Sequence, residues 1–113
     1  MKRTFLILVV LILFVTFHPR SIAAGTISAA NIIAIDVEND GIFLIDISQP
    51  TSGAPACATV TNRLTGNSNT AGGKALLQLA ISVYLSGRPV EVDGTGACTE
   101  AFKFESIARI YAR

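Results

Sequence analysis

The stretch KALLQLAISVYLSGRPVEV, Lys74 to Val92, decides how this chain is read. Its apolar residues follow one another too densely for the alternation of a strand, and they predict a helix from Ala71 to Ser86. Asn69 or Thr70 supplies the N-cap, and Gly87 is the left-handed residue past the end. Pro89 forbids continuation, so Val90-Glu91-Val92 restarts the chain as a strand.

Upstream of the helix, Ile33, Ile35 and Val37 alternate with Ala34, Asp36 and Glu38, the period of a half-buried strand. Asp40-Gly41 suits a tight turn, and Ile42 to Ser48 returns as the second strand of a hairpin. Residues 25–30, GTISAA, are a flexible arm or the start of a strand. Gln49 to Pro55 is a loop, because two prolines and a glycine interrupt pairing. Ala56 to Leu64 is expected as a third strand, and Thr65 to Gly73 as the loop into the helix. Beyond the fourth strand lies a glycine-rich loop, Asp93 to Ala101. A fifth strand is expected from Phe102, with Phe102, Phe104, Ile107 and, past a bulge, Ile110 on one side.

Three strands, a helix and two strands make a mainly β domain with one helix. That order matches the five-stranded Greek-key barrel called the OB-fold, whose helix between strands 3 and 4 plugs one end. A generic α+β domain is the alternative.

The helix itself is oilier than one small core requires. Lys74, Gln78, Ser82 and Ser86 form its polar strip, while the apolar residues cover an arc of roughly 240°, against the roughly 100° that a helix on a single core needs. Either loops fold over the excess, or Leu77, Ile81 and Tyr84 meet a neighbouring subunit in a homo-oligomer.

The N-terminal residues read as a secretory leader. Met1-Lys2-Arg3 is a basic start, Phe5 to Phe17 an apolar run, and Ser21-Ile22-Ala23-Ala24 a small-residue cleavage site. The run is well short of the roughly 20 residues that cross a bilayer, and His18, Pro19 and Arg20 end it. Residues 1–23 are therefore assigned to a cleaved signal peptide, with the cut after Ala23 or Ala24, and residues 24–113 to a single secreted or periplasmic domain that does not span the membrane. Losing Lys2, Arg3 and Arg20 leaves six basic residues against eight acids, a net charge of −2. That balance argues against nucleic acid, whose backbone is held by clustered Lys and Arg.

Both cysteines, Cys57 and Cys98, stay in the exported part, and an oxidising compartment makes a disulfide between them the default expectation. The one histidine, His18, leaves with the leader, so the commonest general base is missing along with any free thiol. Asp36, Glu38, Asp40, Glu91 and Asp93 sit at turns or strand ends, where solvated charge is the ordinary explanation. GNSNTAGGK, Gly66 to Lys74, is one residue too long for a phosphate loop and has Ala75 where Ser or Thr is needed. No catalytic residue, metal or cofactor is expected, and the chain reads as non-enzymatic.

ACATVTN, the helix ending LQLAISVYLSGRPVEV and the cysteine of the last loop together resemble the secreted B subunits of bacterial pentameric toxins, of the subtilase-cytotoxin and pertussis-toxin type. The Gly87-x-Pro89-Val90 corner is the most specific part of the resemblance. It implies an OB-fold ring of five with helices lining a central channel, binding to a cell-surface glycan, often sialic acid, and a separate enzymatic A subunit as partner. A first-strand serine contacts the sugar in such subunits, and Ser28 lies near that place. The aromatic residue that flanks the sugar after the fourth strand in the subtilase type is absent, Asp93 and Gly94 standing instead, which counts against sialic-acid specificity. With no Trp, a stacking platform would have to be Tyr84, Tyr111 or a phenylalanine, residues that read first as core. The alternative function is a monomeric periplasmic OB-fold module, an envelope stress or structural protein without glycan affinity.

Overall fold

A computed structural model describes residues 23–113; all of the expected leader except Ala23 lies outside the described residues. The domain is mainly β with one helix: β1 (Thr26–Ala30), β2 (Ile32–Val37), β3 (Ile42–Ile47), β4 (Arg63–Asn67), α1 (Ala71–Ser86), β5 (Val90–Gly94) and β6 (Glu105–Ala112). The six strands form one mixed sheet in the order β1-β5-β6-β4-β3-β2. Every neighbouring pair is antiparallel except β4 and β6, which run parallel over Leu64–Glu105 and Thr65–Ser106.

The hairpin forms where Asp40-Gly41 predicts it. Asp40 Oδ1 accepts from the Ile42 amide at 2.9 Å and closes the turn locally. The helix has its expected bounds. Thr70 is the N-cap, its hydroxyl accepting from the Gly73 amide, and Gly87 ends it at φ 68°, a conformation only glycine adopts without strain.

Several expectations about the strands are corrected. Six strands replace five, because residues 25–30 are a strand of their own that pairs with β5, while β2 pairs with β3. The break is at Asn31, whose amide donates to Ser48 Oγ and whose carbonyl accepts from the Ser48 amide, both at 2.9 Å, so its hydrogen bonds go to the end of β3. With six strands, the helix lies between β4 and β5 rather than between strands 3 and 4.

The third strand is Arg63–Asn67, not Ala56 to Leu64. The Val60 amide donates to the Lys103 carbonyl, the Thr61 carbonyl accepts from the Thr51 amide, and Ala58 bonds back to Pro55, so residues 58–61 are held by neighbouring loops, and pairing with β3 begins only at Asn62, whose carbonyl accepts from the Ile47 amide. The fifth expected strand starts at Glu105 instead of Phe102, and Phe102 is 82% exposed.

In β2 the expected inward row of Ile33, Ile35 and Val37 is also broken. Ile32 pairs with Ile47 and Ala34 with Asp46, which leaves Ile33 as the extra residue of a bulge, and Ile33 and Val37 are exposed while Ile32 is buried. A slip of one residue moves side chains to the opposite face.

The core gathers Phe43, Ile45, Ile47, Leu64, Val90, Val92, Ile107 and Ile110 from the sheet with Ala80 and Val83 from α1, which packs across β2, β4 and β6. Cys57 and Cys98 are bonded, with Cα atoms 6.2 Å apart, and tie the loop before β4 to the loop before β6.

Candidate functional site

Strand β5 alternates strictly. Val90 and Val92 are fully buried, so Glu91 and Asp93 must project from the opposite face of the sheet. Register then sets Asp93 beside Arg109 and Glu91 beside Tyr111 on β6. Arg109 donates from Nε to Asp93 Oδ2 at 2.8 Å and from Nη2 to Glu91 Oε1 at 2.7 Å, and Arg113 Nη2 reaches Glu91 Oε2 at 2.9 Å. The hydrogen bond that Arg109 donates to Asp93, with the charges of Asp93 and Glu91, raises the Arg109 guanidinium above its ordinary value.

Ser28 belongs to the same outer region. Ile27 pairs with Val92 and Ala30 with Val90, so Ser28 and Ala29 together stand opposite Glu91 in a bulge, and Ser28 is exposed. Bulges commonly re-aim side chains at functional edges. Tyr111, expected in the core, is 54% exposed beside Glu91. A hydroxyl, two carboxylates, two guanidiniums and an aromatic ring therefore share one sheet face. Such a surface can hydrogen-bond sugar hydroxyls while the ring covers apolar C–H groups.

The helix presents a different surface. Leu76, Leu77 and Leu79 pack on the core from partly buried positions, whereas Ile81, Tyr84 and Leu85 are 42, 45 and 78% exposed. Of the three residues expected at an oligomer contact, Ile81 and Tyr84 are thus open and Leu77 belongs mainly to its own core. Leu85, not among them, is the most exposed residue of the stripe.

A second ion pair, Arg63 with Asp46, bridges β4 and β3, the Arg63 Nη2 lying 2.7 Å from Asp46 Oδ2 and the guanidinium 5.8 Å from the Phe104 ring centroid. Among the described residues no three His, Cys, Asp or Glu side chains converge as metal ligands, and no helix is long and apolar enough to cross a membrane.

The acid that composition alone treated as one among eight is Glu105. It is 2% exposed, and its carboxylate accepts from the amides of Gly25 and Gly96. Its neighbours in sequence, Phe104 and Ser106, carry no signal of this, because the two glycines that donate to it come from other segments.

No family model matches the chain, and neither a curated protein nor a solved structure matches it.

Proposed function

We propose that this chain is an exported, non-enzymatic binding module of OB-fold type that associates with copies of itself through the outer stripe of α1 and offers the outer face of β1, β5 and β6 to a cell-surface glycan. The barrel reading is supported by the strand order: the two ends of the row, β1 and β2, are consecutive in the chain with only Asn31 between them, so the row's ends lie close together. The parallel β4–β6 pair and the helix entering β5 agree with it.

The observation that carries self-association is the stripe of Ile81, Tyr84 and Leu85, exposed on a helix whose other side is packed. Covering what is still exposed of these three side chains contributes roughly 2–5 kcal/mol. Association costs about 4–15 kcal/mol, so the stripe suffices only with further contact, for which exposed Ile33 and Val37 of β2 are suited. The assembly is therefore expected to be concentration-dependent.

Light scattering coupled to size exclusion tests this on the mature protein. The wild type should form a multimer, and Ile81→Asp should give a folded monomer. A wild type that stays monomeric at high concentration would support the second reading, a monomeric periplasmic module. That reading is favoured by Leu77, which packs on its own core and narrows the unpartnered arc.

For the glycan, both arginines on the β5–β6 face are already committed to Glu91 and Asp93, so an acidic sugar would have to displace an internal carboxylate. Neutral hydroxyl-rich sugars fit better. A glycan array should return neutral structures, with binding lost in Tyr111→Ala while the fold persists.

A further inference from the structure

Glu105 is a carboxylate buried with unusual care. Both oxygens lie at hydrogen-bond distance from one nitrogen, that of Gly25, at 3.0 and 3.1 Å, and Oε1 also accepts from Gly96 at 2.8 Å. Glycines wall it in: a Cβ on Gly94 would lie 2.1 Å from Glu105 Cδ, and one on Gly25 would lie 2.5 Å from Oε2. No Lys or Arg side chain pairs with it among the described residues, whose ion pairs involve Asp46, Glu91 and Asp93. A buried carboxylate without a cation is costly, because no opposite charge offsets its loss of water.

The nitrogen that both oxygens approach follows Ala24 directly, at the small-residue cleavage site. A peptide nitrogen has one hydrogen to divide between two acceptors. An α-ammonium has three, and it carries the missing charge. We infer that Glu105 is the receptor for a new N-terminus, the α-ammonium of Gly25 released by cleavage of the Ala24–Gly25 bond. The inference rests on the exported reading above.

In that hydrolysis, catalysed by a signal peptidase, water attacks the Ala24 carbonyl carbon. The C–N bond breaks as a C–O bond forms, Ala24 leaves as a carboxylate, and the Gly25 nitrogen takes up protons to become the ammonium. What positions Gly25 survives the cut, since it comes from residue 25 onward. The Gly25 carbonyl accepts from the Gly94 amide at 2.8 Å, and Thr26 exchanges two backbone hydrogen bonds with Ser52 at 2.9 and 2.8 Å. Gly25 is buried, so the cut precedes folding and the folded state then captures its product.

Intact mass and N-terminal sequencing of the exported protein come first. A chain beginning at Gly25 is expected. One beginning at Ala24 overturns the inference but leaves export standing, whereas an uncleaved chain overturns both.

The second measurement is the rate of α-amine acylation at neutral pH, followed by mass spectrometry. In the native wild type it should be about ten-fold or more slower than in denaturant, where the pair is open. In Glu105→Gln the native protection should fall to that of an exposed terminus. Equal native and denatured rates in the wild type would overturn the pairing and need no mutant to fold. If Glu105→Gln does not fold, a preparation extended by one residue to begin at Ala24 replaces it, and it should unfold at lower denaturant. Equal stability would count against the pairing.

Discussion

Glu91 and Glu105 stand on adjacent strands of one sheet and meet opposite fates. Glu91 projects outward, accepts from Arg109 and Arg113, and keeps contact with water. Glu105 is sealed inside and held by backbone amides of two glycines. At the surface, screening makes a charge cheap to keep and cheap to lose, so it is available for recognition. In the interior, every partner of a charge must be in place, because removing one leaves the others desolvated and unpaired. The same side chain is thus a dispensable surface partner at 91 and a condition of folding at 105.

Forcing the interior region should have the largest effect. In Gly94→Ala the new Cβ meets the carboxylate carbon of Glu105 at 2.1 Å, and Glu105 cannot move without leaving two amides unsatisfied. A loss on the order of 3 kcal/mol or more is expected in chemical denaturation. Wild-type stability in this variant would mean the carboxylate is not confined.

Opening the disulfide should come next. Cys57–Cys98 spans 41 residues and anchors the loop that carries Gly96, so Cys57→Ser with Cys98→Ser should cost about 3–4 kcal/mol. Calorimetry would register this as a lowered midpoint, and an unmoved midpoint would show the bridge to be idle.

On the outer face, Glu91→Gln should change stability by no more than about 0.5 kcal/mol, within the range of ordinary surface substitutions. Under the glycan reading proposed above, its effect should appear in glycan affinity instead. A collapse in stability there would erase the contrast between the two glutamates.

Much of the architecture was legible before folding. The helix bounds, the Thr70 and Gly87 caps, the Asp40-Gly41 hairpin and the strand after Pro89 all follow from local rules, since capping, turn closure and the proline constraint involve neighbours in sequence. The strands that depart from the local pattern depend on distant partners. Ala56 to Leu64 has the composition of a strand, but Val60 and Thr61 are claimed by Lys103 and Thr51 in neighbouring loops, and only its last residues pair with β3. Phe102 and Phe104 look like the inward row of the last strand, yet Phe102 is exposed, and the acid Glu105 is buried.

By itself, then, the order of residues determined the mainly β class, the single helix with its excess of apolar surface, the cysteine pair, the hairpin and the strand after Pro89, because these depend on composition, periodicity and short-range sterics. Only the tertiary structure decided that the excess narrows to Ile81, Tyr84 and Leu85, that Tyr111 joins a charged outer face, and that Glu105 lies among Gly25, Gly94 and Gly96. The reason is physical. Which side of a strand meets water, and which amides surround a carboxylate, is fixed by register between segments as many as 80 residues apart, and no local pattern encodes that register.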